Sequence, residues 1–296
     1  MLGEPDGWHA ARLAAALSAR GHEVAVVPWR ALAGGIATAG ETVQPAAVAT
    51  ADVVVVRGMP GGGAGDTRLE EVIFRMNLLG RIAARGIPVI NSPRSLEVAI
   101  DKHLSLCRVA AAGVPVPHTV VVQDRPAAEE AWRHFGGDCV LKPLFGSRGR
   151  GLARITSAAA LAQATAREGS REALGGVFYL QEFIPHDGWD VRILLVGGRP
   201  LGMRRVAVGG DWRTNVSRGG RGEPFDPPAA WVETARRAAA AVEAEIAGVD
   251  LLPASDGRLV VLEVNGVPGW RGLESATGLD VTGIVASHVE SRAKTA

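Results

Sequence analysis

GVDLLPASDGRLVVLEVN, residues 248–265, is the stretch on which the reading of the whole chain turns. Asp256-Gly257 is a turn signal between two runs of strand formers, so the segment predicts an antiparallel hairpin. With those residues at the tip, Ser255 lies opposite Arg258. Counting back along both strands then puts Asp250 opposite Glu263, with Asn265 on the face of Glu263. Carboxylates directly across strands repel, so the pair calls for a cation between them. Two carboxylates and an amide oxygen suit Mg2+ or Mn2+ better than zinc. The same residues also fit a strand edge facing solvent, and Pro253 signals a bulge that would shift the register by one.

Upstream, VLKPLFGSRGRG (140–151) places Lys142 at the end of a short apolar strand, before Gly146, Ser147, Arg148, Gly149, Arg150 and Gly151. A loop of this kind can turn backbone N–H groups and guanidinium groups onto phosphates, or be no more than a solvated turn. FYLQEFIPHDGWDVR (178–192) reads as a strand ending at Glu182-Phe183-Ile184 and turning at Pro185. Such a strand end can offer donor and acceptor groups to an adenine edge while Phe183 or Ile184 packs on the ring, although apolar residues of this kind are more often core.

The N-terminal part alternates helices and apolar runs in the manner of a parallel sheet. Asp6 is expected to cap a helix through WHAARLAAALSAR, stopped by Gly21; HEVAVVP, DVVVVR and IPVIN read as strands, and a first strand before Gly3 is nearly absent. Ser92-Pro93 suits an N-cap and first helical position. The glycines from Gly58 to Gly65 fit neither a dinucleotide fingerprint nor a P-loop, which leaves a loop near the substrate with Arg57 as a candidate for an anionic ligand. Helices are expected at PAAEEAWRHF, SAAALAQATAREG and WVETARRAAAAVEAEI, the last beneath the hairpin.

A chain of 296 residues, 47% hydrophobic, can build two or three cores. A net charge of +1 argues against nucleic acid as a partner. Cys107 and Cys139 lack the spacing of a disulfide framework or zinc ribbon. Neither a long apolar span nor an export signal is seen, so a cytoplasmic enzyme is expected, with no membrane partner.

In this order, Lys102 after Asp101, Lys142 before the glycine loop, the QEFI hinge, Asp190-x-Arg192, Asp250 and Glu263-x-Asn265 resemble the ATP-grasp ligases. GDWRTNVSRGG, AGVDLL and LEVNGVPGWRGLESATG resemble the RimK-like branch, whose members join glutamate or similar amino acids to a carboxylate. The resemblance runs from about Asp52 to the C-terminus. It implies an α/β, three-domain architecture: an N-terminal parallel α/β sheet (1–92), then two α+β subdomains clasping ATP (93–184 and 185–296). It also implies an ADP-forming ligase that works through an acyl phosphate.

On that resemblance, Lys102 and Lys142 hold phosphates, Gly146 to Gly151 form the lid, and Glu182, Phe183, Ile184 and Asp190 serve the adenosine. Asp250, Glu263 and Asn265 hold Mg2+ or Mn2+, two ions being usual in the family. Arg192, Arg205, Arg213, Asn215 and Arg218 converge on phosphate and acid substrates. Arg204 stands where an acidic residue is usual, which adds positive charge beside Arg205. The loop Asn265 to Arg271 is similar to that of ligases adding glutamate to a pterin-type carboxylate, and Trp189, Trp212 and Trp270 are expected near the cleft, where they could stack on a flat ligand or pack in the core. A protein C-terminus or carrier protein is the alternative acceptor, a non-catalytic ATP-binding module and a dinucleotide-dependent oxidoreductase are rival readings, and a homo-oligomer is compatible with the sequence.

Overall fold

Val191, Ile193, Leu195, Val249, Leu251, Val261 and Val264 alternate along three neighbouring strands, and all are shielded from water on one face of a five-stranded sheet. The computed structural model describes residues 1–38, 40–61, 68–144, 151–166, 176–214 and 219–293. Its strands are β1 (Ala33–Ala37), β2 (Gly40–Gln44), β3 (Val54–Val55), β4 (Val89–Ile90), β5 (Thr119–Val122), β6 (Cys139–Lys142) and β7 (Ala153–Ile155), followed by β8 (Phe178–Glu182), β9 (Trp189–Val196), β10 (Arg199–Val206), β11 (Arg221–Pro224), β12 (Ile246–Pro253) and β13 (Leu259–Asn265). The fold is mixed α/β.

The five-stranded sheet runs β11-β10-β9-β12-β13 and a four-stranded sheet runs β5-β8-β6-β7, both antiparallel. Helix Ala229–Ala241 covers the apolar face of the larger sheet, as the sequence predicts. On the opposite face, Leu194, Val196, Leu201, Met203 and Ile246 join a core with helices Trp8–Ser18 and Val281–Arg292. Further along that same face the residues become charged, and there the cleft opens.

The N-terminal region is parallel but abbreviated. β3 and β4 are a two-residue parallel pair, and HEVAVVP forms no strand, contributing only a bridge at Val27. Leu2, fully buried, bridges both Val27 and Val56, so the missing first strand survives as one residue in a central place. The helix at Trp8 starts from Gly7 without a side-chain cap, so Asp6 does not cap it. The Ser92 hydroxyl accepts from Ser95 N–H with Pro93 in the first turn, as expected. The β1–β2 hairpin was not legible.

The β12–β13 hairpin gives the expected pair, Asp250 opposite Glu263, by a different route. Pro253 pairs with Leu259, so the loop is five residues, 254–258, rather than the two of Asp256-Gly257. An extra residue, Leu262, then restores the register as a β-bulge between Leu251 and Asp250 on the partner strand.

Candidate functional site

The bulge has a direct consequence: Leu262 and Glu263, consecutive in sequence, both line the cleft between the two sheets, while Val261 and Val264 on either side face the opposite core. Strands β6 and β8 supply the other wall through Val140, Lys142, Gln181 and Glu182; the space enclosed is about 970 Å³ including its open mouth.

Charge across the larger sheet is set by register. Gly197 and Gly198, with φ of 55° and 83°, form a two-residue turn suited to the β9–β10 hairpin, and counting back from it places Asp190 opposite Arg205. Both side chains are buried. Arg205 donates to Asp190 through Nε (2.6 Å) and Nη2 (2.5 Å), and Nη2 also lies 3.0 Å from Asp250. Thr214 donates its hydroxyl to Asp190 at 2.6 Å. One strand over, Arg192 forks onto Asp250 with bonds of 2.7 and 2.8 Å. Burial pulls the Arg205 guanidinium down, but Asp250 and Asp190 outweigh it and hold it above its ordinary range. Burial likewise pushes the Asp250 carboxyl up, and Arg192 and Arg205 bring it below the usual carboxylate range. The cation that the Asp250–Glu263 pair calls for is thus supplied in part by the protein.

The opposite wall is different. Asp101 caps helix Lys102–Ala111 by accepting from His103 and Leu104 N–H, which fixes Lys102 at the helix start. Lys102 Nζ donates to the Leu144 carbonyl at 3.3 Å, and burial lowers its pKa against the opposing pull of Glu263 and Asp101. Lys142 Nζ donates to Gln181 Oε1 at 2.5 Å, and burial brings it down to about 8, with Glu263 opposing and Lys102 reinforcing the shift. A cation partly withdrawn from water beside an amide, rather than a carboxylate, leaves charge that an anion in the cleft would offset.

The remaining predicted residues divide. Ile184 is buried with Leu252 and Val260 beneath the cleft. Phe183 lines the cleft under the Arg154 guanidinium, 3.4 Å from its ring centre, and edge-on to Trp212. Glu182 lines it too, but its carboxylate turns to His118 N–H at 2.9 Å and to Arg258 at 3.6 Å, which leaves the neighbouring backbone to face a ligand. Asp190 is directed to Arg205 and Thr214, so its position is that of a partner for the arginine rather than for adenosine. Arg213 reaches the cleft already paired with Asp211 at 3.0 Å. Gly151, at φ 74°, needs the left-handed backbone that glycine permits. Gly146, Ser147, Arg148, Gly149, Arg150, Asn215 and Arg218 lie outside the described residues.

Three aromatic and basic assignments change. Trp270 is fully buried, its indole N–H bonded to Thr282 at 2.9 Å, so it is core rather than a face for a flat ligand. Trp189 stacks on Trp231 and Phe225 on the far side of the sheet. Arg204 also falls on that far side, between Glu223 at 2.5 Å and the Trp189 ring, because neighbouring residues on a strand face opposite ways. Only Trp212 of the three tryptophans lines the cleft. Gln181, Thr214, Leu262 and the buried Asn91 were missed. Asn91 donates to the Ile246 and Gly266 carbonyls and accepts from Glu245 and Ile246 N–H, fastening β4 to the hairpin.

Asp250, Glu263 and Asn265 fit a divalent cation of the Mg2+ or Mn2+ kind. With its amide turned to satisfy both ends, Asn265 donates to Glu263 at 3.3 Å and accepts from Arg192 at 3.2 Å, which sets the three side chains side by side. Among the described residues no group of three or more His, Cys, Asp or Glu forms a closed cage. A set with two carboxylates and one amide suits an ion that takes its remaining ligands from phosphate and water.

The sequence profile of the RimK-like ATP-grasp domain matches residues 99–289. The chain is 30% identical to the tetrahydromethanopterin:alpha-L-glutamate ligase of Methanosarcina acetivorans, over 97% of each. It is 32% identical to a probable alpha-L-glutamate ligase of Cellvibrio japonicus, over 96% of this chain and 91% of that one. Among solved structures, the ATP-grasp ligase PsnB complexed with a minimal precursor superposes with a TM-score of 0.75 at 25% identity, covering 98% of this chain and 97% of that one. A RimK domain ATP-grasp protein from Sphaerobacter thermophilus superposes at 0.71 with 26% identity, covering 97% and 98%.

Proposed function

The chain belongs to the RimK-like ATP-grasp family and is an ATP-dependent ligase; from that premise we propose that it adds L-glutamate to a carboxylate through an acyl phosphate, and that the acceptor is a small molecule of the pterin-linked kind. The observation that carries the nucleotide assignment is the half-buried Lys142, lowered to about 8 and facing Asp250 and Glu263 across one cleft. The triphosphate runs from Lys102 and Lys142 toward the hairpin, with the base over Ile184, Leu252 and Leu262. Asp250, Glu263 and Asn265 would hold Mg2+ or Mn2+, which when bound offsets the charge of the phosphates.

In the first step a carboxylate oxygen of the acceptor attacks the γ-phosphorus, the bond to the bridging oxygen breaks, and ADP leaves. In the second the glutamate amine attacks the acyl carbon, phosphate leaves, and the amine gives up a proton. Arg192, held by Asp250, and Arg205, held by Asp190, stand where negative charge collects in both steps, so this wall works by orientation and electrostatics.

The acceptor assignment rests on the glutamate-ligase relatives, since the tryptophan argument is reduced to Trp212. A peptide carboxylate is the second reading, favoured by the structural likeness to PsnB complexed with its precursor. ADP release with glutamate plus a pterin-linked carboxylate, measured against glutamate plus a peptide tail, separates them; turnover with the peptide alone overturns the small-molecule acceptor. Glu263→Gln is expected to abolish ADP release, and full activity in it would overturn the cation site.

A further inference from the structure

Arg57 ends the short apolar run of β3 and stands outside the nucleotide cleft. Its Nη2 donates to the Pro268 carbonyl at 2.9 Å, and its guanidinium carbon lies 4.3 Å from the centre of the Trp270 ring. Nε is sealed from solvent with no acceptor, and Nη1 has no acceptor among the described residues but is not sealed. Burial lowers this guanidinium to about 9, and no carboxylate among the described residues offsets it. A carbonyl dipole and a ring face answer only part of the charge of this half-buried cation.

Its surroundings are built rather than incidental. The loop 266–270 is fastened at three points: Asn91 to the Gly266 carbonyl, Arg57 to the Pro268 carbonyl, and His9 accepting from Trp270 N–H. On the other side, Trp29 donates to the Gly58 carbonyl at 3.0 Å and fixes the chain as it leaves Arg57. The place also adjoins the reacting end of the cleft. A Cβ on Gly248 would lie 3.0 Å from Pro268 Cβ and 3.8 Å from Arg192 Nε, so Pro268, which Arg57 holds, and Arg192, which holds Asp250, share one backbone neighbour.

We infer that Arg57 binds a non-reacting carboxylate of a substrate beside the reacting end of the cleft, donating to it through the unsealed Nη1. This rests on the ligase reading above, which requires substrates carrying carboxylates beyond the one that is activated. The carboxylate belongs either to the amino acid or to the acceptor. Trp270, buried beneath the guanidinium, supports Arg57 and does not touch the ligand.

Thermal shift with acetate, succinate, glutarate and L-glutamate, on wild type, Arg57→Gln and Arg57→Lys, each with Mg2+ and a non-hydrolysable ATP analogue, tests the site. Wild type is expected to be stabilised by one or more of these carboxylates. In Arg57→Gln the affinity for that anion should fall about 10- to 100-fold, with partial recovery in Arg57→Lys, while affinity for the nucleotide analogue stays unchanged. Preference for L-glutamate over succinate and glutarate assigns the carboxylate to the amino acid; equal or weaker binding of L-glutamate assigns it to the acceptor. No stabilisation of wild type by any carboxylate, or equal carboxylate affinity in Arg57→Gln, overturns the inference. A purely structural clamp is recognised by equal loss of nucleotide and carboxylate affinity with a lowered melting temperature. Failure of the ligase reading registers separately, as absent ADP release.

Discussion

Arg205 and Lys142 line one cleft from opposite sheets, the first buried and the second half-buried, yet Arg205 lies between Asp190 and Asp250 whereas Lys142 has the Gln181 amide. Their proton affinities move in opposite directions: Arg205 is held above its ordinary range, and Lys142 falls to about 8. On the five-stranded sheet the charges balance within the fold, and they form a rigid floor. On the four-stranded sheet the proposed function has the balancing charge arrive with the nucleotide, so that binding and electrostatic relief there would be one event.

The comparison breaks most visibly at Asp190. Asp190→Ala leaves Arg205 buried with only Asp250 at 3.0 Å and strands the Thr214 hydroxyl. Removing one member of a buried pair costs about 3 kcal/mol. Urea unfolding measures it, and a loss under about 1 kcal/mol would show that the floor is not held by this pair.

Lys142→Met sharpens the other half. Its effect falls on ATP, with affinity reduced about 10- to 100-fold by loss of a charge-assisted contact. The fold should not weaken, because methionine removes a desolvated charge. In the folded chain Lys142 titrates at about 8, against its ordinary 10.5, so between those values the unfolded chain holds more protons and stability rises with pH. That rise should flatten in Lys142→Met, read as unfolding free energy at pH 7, 8, 9 and 10. An identical slope in both proteins would mean that Lys142 is not desolvated.

What the sequence disclosed follows the same division. The Asp250–Glu263 pairing was legible because two departures cancel: the loop takes two residues beyond Asp256-Gly257 from the β12 side and only one from the β13 side, and Leu262 bulges to restore the count. The bulge itself was only hinted at by Pro253, yet it is what brings Leu262 into the cleft. The Asp190–Arg205 pair was within reach, since counting back from Gly197-Gly198 gives it, but the motif drew attention to Asp190 as an adenosine ligand instead. Trp270 could not be placed from sequence. A tryptophan after a glycine-rich loop looks the same whether it faces a ligand or, as here, Thr282 and a guanidinium. Leu2 was out of reach for a related reason: one residue bridging two strands has no periodicity to read.

The smallest effect is expected one residue from one of the most tightly paired side chains in the molecule. Arg204 adjoins Arg205 in sequence, and proximity alone would give both a part in substrate choice. The strand alternates, however, so Arg205 enters the cleft while Arg204 turns to Glu223 and lies 5.6 Å from the centre of the Trp189 ring. Arg204 is also the more exposed of the two, which limits what its ion pair contributes. Arg204→Ala should therefore change kcat/KM for ATP and for the acid substrate by less than about twofold. Parallel kinetics on Arg204→Ala and Arg205→Ala check this, with a large loss expected only in the second. A tenfold loss in Arg204→Ala would place it in the substrate's field after all, and the separation of the sheet into a charged floor and an aromatic reverse side would have to be abandoned.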